Sequence, residues 1–311
     1  MIITRIHSGP TAVAEAVDLL NRGELVALPT ETVYGLGCDA LAPLACAKVF
    51  QAKDRPLYDP LIVHLPNREW ADRIAVLSPA AQALADAFWP GPLTLVLPRK
   101  SIVPDLVTAG QNTVAIRWSA HPVFQEVAEE FGRPIAAPSA NRFGRISPTA
   151  PEHVLSELNG RIRLIVDGGP CNHGVESTIV LVQEDGLRIL RHGPITDRQL
   201  AAFGPLVSGN TDVSAPGTLK SHYAPRTPLV FGPAAPGPRH GLLAWDSSGE
   251  GFAKVERLSE SASLEEAATN LYAAMRRLDE AGLDLIVADS VPEEGLGVAI
   301  MERLRKAAAR E

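Results

Sequence analysis

Cysteine, aromatic residues and long apolar runs are all scarce in this chain. Its 3 cysteines, Cys38, Cys46 and Cys171, form no CxxC pair, which argues against a disulfide framework and against the usual zinc ligand spacings; three reduced thiols are expected. No stretch approaches the roughly 20 apolar residues of a membrane span, and the opening MIITRIHSGP lacks the apolar run of a secretory signal, so a cytoplasmic protein is expected. A net charge of −7 and a pI of about 5.7 speak against tight non-specific binding to nucleic acid. Aromatics at 5% offer few stacking platforms for RNA. Familiar site motifs are missing too: the sequence contains no GxxxxGK[ST] phosphate loop, no GxGxxG turn, no GxSxG elbow and no HExxH helix. Any nucleotide handled here is held by another route.

What is present describes a globular chain. Charged residues at 21% and hydrophobic ones at 46% of 311 are ordinary values, and the length suffices for two cores. Charge divides unevenly: residues 229–311 carry 9 basic and 14 acidic side chains against 20 and 22 before them, so the tail is the acidic part and the rest is nearly neutral, which leaves room there for a local basic cleft.

Over residues 1–204, apolar runs at Glu24–Leu28, Leu61–Leu65, Leu93–Leu97, Thr113–Trp118 and Leu164–Val166 predict strands of a largely covered sheet. Ser78 caps a helix over Pro79–Phe88. Thr149 and Glu152 have capping-box spacing for a helix ending at Gly160. Ser177–Val182 and Leu187–Leu190, joined through Asp185-Gly186, predict a hairpin. The first domain is therefore a mixed α/β sheet with helices. Residues 205–228 read as a linker rich in Gly, Pro and Ser. Beyond it, over 229–311, runs at Pro228–Phe231, Gly241–Trp245 and Leu283–Ala288 with helices near Leu264–Ala281 and Glu294–Arg310 predict a small three-layer, Rossmann-like α/β domain.

Polar clusters fall where predicted strands end, the usual position of ligand loops in open α/β sheets. PTETVYGLG (29–37) supplies the hydroxyls of Thr30, Thr32 and Tyr34, with Gly35 and Gly37 permitting close backbone approach; an ordinary turn explains it equally well. KDRPLYDPLIVH (53–64) places Lys53 and Arg55 two apart, suited to phosphate or carboxylate oxygens, or simply to solvent. His64 beside Leu61-Ile62-Val63 is either a satisfied core histidine or a ligand group. Arg117 lies inside the apolar TVAIRW and must meet an anion, a fixed carboxylate or a substrate. The segment APSANRFGRISPT (137–149) follows a strand over Pro134–Ala137 and carries many hydroxyl and amide groups. DGGPCNHGVESTIV (167–180) and Arg191 complete the series.

In this order the clusters resemble the YrdC-like threonylcarbamoyl-AMP synthases, over about residues 10–200: PTETVYGLG, KxR followed by PLIVH, SAN…SPT, DGGPC…ESTIV and the Arg191 region. HYAP (222–225) and the acidic tail are similar to the longer, two-domain form. The resemblance implies a YrdC-like mixed twisted sheet with one deep cleft. It implies that Thr32, His64, Arg117, Ala137 and Ser177 surround L-threonine, and that Arg55, Asp59, Thr113, Ser139, Ser147, Arg191 and Tyr223 contact ATP. Lys53 and Arg55 would neutralise phosphate charge during reaction with bicarbonate, Mg²⁺ would accompany the triphosphate without a dedicated metal cage, and the product would pass to the tRNA threonylcarbamoyl-transfer machinery, with at most weak contact to RNA. Asp59 stands where the family usually has asparagine, Phe143 where it has serine, and the APGTLKSHYAP linker lacks a common methionine. A non-catalytic RNA-binding module and a carbamoyl-transferring maturation factor are the rival readings; the second wants zinc-binding cysteine pairs, absent from the sequence. His222, Tyr223 and Lys220 break the linker composition and predict a lid over the cleft.

Overall fold

The computed structural model describes residues 2–209, 211–217, 221–232 and 235–309. Lys220 and Arg310 lie outside the described residues. In chain order the strands are β1 (Arg5–His7), β2 (Val26–Leu28), β3 (Gly35–Asp39), β4 (Ile62–His64), β5 (Leu93–Pro98), β6 (Thr113–Arg117), β7 (Ile135–Ala136), β8 (Leu164–Val166), β9 (Thr178–Gln183), β10 (Gly186–Arg191), β11 (Leu229–Phe231), β12 (His240–Ala244), β13 (Lys254–Arg257) and β14 (Leu285–Ala288). The helices are α1 (Pro10–Asn21), α2 (Pro43–Lys53), α3 (Trp70–Ile74), α4 (Pro79–Phe88), α5 (Asp105–Thr108), α6 (Pro122–Phe131), α7 (Pro151–Leu158), α8 (Asp197–Leu200), α9 (Leu264–Asp279) and α10 (Leu296–Ala308).

Ten strands form one mixed sheet in the order β1-β8-β2-β3-β7-β4-β6-β5-β9-β10. Its central strands are buried on both faces, as their continuous apolar runs require. α1 and α6 cover one face, where Ala16, Leu20, Phe124 and Val127 meet Val26, Leu28 and Ile135. The larger core, around Leu36, Phe50, Val63, Leu95, Ile116 and Val180, fills the other. Ser78 caps α4 by accepting from the Ala81 N–H at 3.2 Å, and β9 and β10 pair antiparallel.

Two local expectations are corrected. The helix at 151 starts from Ala150 without a side-chain cap; Pro151 takes its first position, and His153 Nδ1 accepts from the Thr149 N–H at 3.2 Å, replacing the Thr149–Glu152 box. Gly35 and Gly37 lie within β3, not in a turn. A Cβ at Gly37 would come within 3.0 Å of Ile135, so Gly37 serves the packing of β3 against β7, while a Cβ at Gly35 would come within 3.1 Å of Ala137, in the segment that follows β7.

The second sheet is parallel, ordered β11-β14-β12-β13. α9 and α10 cover one face through Leu271, Met275, Ile300 and Leu304. Leu242, Ala244 and Val287 face the other way, against Phe252 and Val255. The α9–α10 core runs on into the first sheet's territory, taking in Val33, Ile146, Val175 and Tyr223. At Gly174 a Cβ would come within 2.2 Å of the Ala268 carbonyl, so only glycine lets α9 approach this closely.

Candidate active site

Strand alternation decides what faces the site. Ile62 and His64 on β4, Ala115 and Arg117 on β6, and Ser177 and Ile179 at the start of β9 fall on alternate positions, so each pair shares one face of the sheet. His64 and Arg117 are paired in register on adjacent parallel strands. Part of the linker lies along this face: Ala215, with Val213 beside it, packs with Ile62, Ala115 and Ile179. Next to it opens a small cavity of about 40 Å³, bounded on the linker side by Pro216, Gly217, His222 and Tyr223.

Three buried guanidiniums face this cavity. Arg117 donates to the Thr32 hydroxyl at 2.9 Å and the Gly91 carbonyl at 3.2 Å, and pairs with Glu31 at 2.8 Å. Arg55 donates to the carbonyls of Asp59 and Pro60, pairs with the Asp59 carboxylate at 2.9 Å, and has its guanidinium 5.9 Å from the centre of the Phe143 ring. Arg191 donates to the Ser177 carbonyl and hydroxyl at 3.0 Å and to the Pro216 carbonyl at 3.1 Å. Among the described residues no carboxylate lies within ion-pair distance of it.

Burial pulls the Glu31 carboxyl up, but Arg117 and the Ser119 hydroxyl outweigh this and hold it at about 2. Burial likewise opposes ionisation of Glu176, while Arg303 and Arg191 hold it at about 2. Its carboxylate accepts from the Ser147 hydroxyl at 2.5 Å, from Tyr272 at 3.0 Å and from Arg303 Nε at 2.8 Å. Desolvation by burial, with Arg117 adding to it, lowers His64 to about 3, so the ring is neutral; its Nδ1 has no partner. His222, also buried, is lowered to about 3 mainly by desolvation. Tyr223 is buried with its hydroxyl unpartnered, its ring 4.2 Å from His222 and 5.8 Å from Tyr272.

Of the residues singled out in the sequence, Thr32, Arg55, His64, Arg117, Ala137, Ser139, Ser177, Arg191 and Tyr223 line this one cavity. Four stand elsewhere. Lys53 is buried at the end of α2 and its ammonium donates to the carbonyls of Ser139 and Asn141, so it anchors the 139–141 backbone instead of reaching into the cavity. Ser147 spends its hydroxyl on Glu176. Thr113 shares a face with Arg117 but sits at the opposite end of β6, beside Pro98. Asp59 is held behind Arg55, and burial raises its carboxyl against the pull of Arg55 and Lys53. Sequence reasoning missed Glu31, Glu176, His222 as a lining residue, and Arg303.

A mixed α/β sheet with a cavity faced by three guanidiniums, bounded on one side by a segment leading to a second domain, is the arrangement expected of a YrdC-like protein. Comparison with known proteins agrees. A family model described as "Telomere recombination" matches residues 18–193, and one described as "Threonylcarbamoyl-AMP synthase, C-terminal domain" matches residues 195–309. The chain is 42% identical to the threonylcarbamoyl-AMP synthase of Bacillus subtilis, over 99% of this chain and 96% of that one. It is 40% identical to the synthase of Pyrococcus abyssi, over 94% and 92%. The crystal structure of P. abyssi Sua5 complexed with L-threonine superposes with a TM-score of 0.89 at 37% identity, covering 99% of this chain and 97% of that one. The chain belongs to the threonylcarbamoyl-AMP synthase family, in its two-domain form.

Proposed function

We infer that this chain forms threonylcarbamoyl-AMP, and propose that the cavity takes L-threonine and ATP together, with bicarbonate as the carbon source. In this reading it is a cytoplasmic nucleotidyltransferase supplying the tRNA threonylcarbamoyl-transfer machinery. The observation that carries the assignment is the set of three separately anchored guanidiniums around one cavity, one of them, Arg191, with no carboxylate partner among the described residues.

Arg117 and Thr32 take the amino-acid carboxylate and hydroxyl, with Ser177, the Ala137 backbone and the open Nδ1 of His64 beside them. His64 is neutral, so it contributes a hydrogen-bonding nitrogen and no charge. Arg55, Arg191, Ser139 and Tyr223 take ATP. The threonine amine adds to carbon dioxide derived from bicarbonate, losing a proton to give a carbamate. A carbamate oxygen then attacks the α-phosphorus, and the bond to the β-phosphate oxygen breaks to release pyrophosphate. Such chemistry needs two anions positioned and their repulsion shielded, which fixed guanidiniums do without reorganising. The lining residues Pro216, Gly217, His222 and Tyr223 act as the lid that keeps water from the mixed anhydride.

Magnesium does not find a protein cage: among the described residues no group of three His, Cys, Asp or Glu side chains could hold a metal ion, and Glu31, Asp59 and Glu176 are each committed to an arginine. Any Mg²⁺ would accompany the triphosphate and supply charge neutralisation there. The purified protein is expected to release pyrophosphate from ATP only when L-threonine and bicarbonate are both present. Equal release without threonine, or release of orthophosphate, refutes the assignment.

A further inference from the structure

Glu176 is out of place in a cavity that collects anions. It lines that cavity, it is ionised, and the residue after it, Ser177, gives both its carbonyl and its hydroxyl to Arg191. A free carboxylate here would turn toward Arg191, cancel the one lining guanidinium that lacks a carboxylate partner among the described residues, and repel a triphosphate. The Ser147 hydroxyl holds one of its oxygens at 2.5 Å, and the cation that prevents this comes from the second domain. Arg303 of α10 is fully buried, with 0% of its side chain exposed. Its Nε holds Glu176 at 2.8 Å, its Nη2 donates to the His192 carbonyl at 2.8 Å, and its guanidinium lies 5.3 Å from the centre of the Tyr223 ring. Tyr272 of α9 gives its hydroxyl to the same carboxylate.

The geometry points to Arg303 as a positioning residue for the ATP half of the reaction: by holding Glu176 it keeps Arg191 available for the nucleotide's phosphates and sets the face on which Tyr223 rests. The inference rests on the assignment of ATP to this cavity, and it makes the second domain an electrostatic part of the site. Arg303 touches no substrate.

The test uses the full chain as Arg303→Met, Arg303→Lys and the double variant Arg303→Met/Glu176→Gln, with KM for each substrate and calorimetric Kd for a nonhydrolysable ATP analogue. Arg303→Met should raise the KM for ATP and the analogue Kd at least about tenfold while the KM for threonine moves less than about twofold. The double variant should recover most of the loss, because a neutral amide at position 176 has no charge to turn on Arg191. Arg303→Lys, which keeps the cation, should lie closer to the unaltered chain, and it serves if Arg303→Met does not fold. A purely structural Arg303 would instead raise both KM values together, or leave the double variant as weak as the single one; either result overturns the inference. Failure of the unaltered chain to release pyrophosphate would count against the assigned reaction, whereas the analogue Kd series judges Arg303 independently of turnover.

Discussion

Replacing Arg117 with Met tests whether this cavity cation is held by a fixed carboxylate. Arg117 and Glu31 are 4% and 8% exposed and 2.8 Å apart, so the substitution leaves a carboxylate buried without its cation. Removing one partner of such a pair costs about 3–5 kcal/mol; the Ser119 hydroxyl stays on Glu31, which argues for the lower end. The titration gives a second route. Glu31 is held at about 2 against an ordinary 4.5, a difference equivalent to about 3 kcal/mol of folding stability. The folded value is the depressed one, so this contribution is complete above pH 4.5 and is lost as pH falls toward 2. Urea unfolding followed by tryptophan fluorescence should therefore show Arg117→Met less stable by about 3 kcal/mol at pH 7, with the gap narrowing by at least about 1 kcal/mol at about pH 3.5. Arg117→Met/Glu31→Gln should regain more than half of the loss. A gap below about 1 kcal/mol at pH 7, or one that does not narrow in acid, would refute the pairing as the source of Arg117's placement.

Gly217→Ala should raise the KM for ATP, because Gly217 has φ of 79° and a Cβ there would come within 2.3 Å of the Tyr223 hydroxyl; Tyr223→Phe added to it should relieve part of the effect, and an unchanged KM in the single variant would dissociate Tyr223's position from nucleotide binding. Lys53→Met should lower stability by about 2–4 kcal/mol, since it strips the donor from one buried and one half-buried carbonyl. If thermal unfolding is unchanged while activity is abolished, Lys53 acts on substrate and not on the 139–141 backbone.

Much of the site was legible because its residues break local rules. Arg117 interrupts an apolar strand, and a guanidinium there demands an anion whatever the fold; the structure supplies Glu31. The strand runs read at Leu93–Leu97 and Leu164–Val166, found as Leu93–Pro98 and Leu164–Val166, were readable for the same reason that their sheet is buried on both faces. The family resemblance carried by the polar clusters and the linker implied nine residues that line one cavity. What was not legible depends on pairings across the fold. Glu31 sits in PTET, in the first cluster read, yet nothing nearby says that its partner is Arg117. Arg303 left a trace: with Ala299, Ile300 and Ala307 it falls on the buried stripe of α10, where a guanidinium is as anomalous as on a strand. Lys53 misled because a lysine beside an arginine in a loop looks like a phosphate clamp, whereas its carbonyl partners lie in a distant segment.

The 205–224 segment has both its ends fastened to the same body. At one end Leu187 and residues Pro205 and Val207 exchange backbone hydrogen bonds; at the other, the Ala224 N–H donates to the Gly144 carbonyl. Between them Ser214 leans on Gln111, and Pro216 on Arg191, while Gly217 and His222 are tied across to Lys306 of α10. Mechanically its described parts stand on the first domain at both ends and are braced by the second domain at Gly217 and His222. Access to the cavity then requires a handful of mid-span hydrogen bonds to part, while the two domains stay docked through Glu176 and Gly174. Substrate exchange should run on the timescale of loop motion instead of domain separation, and a chemical crosslink joining the domains would leave the doorway working.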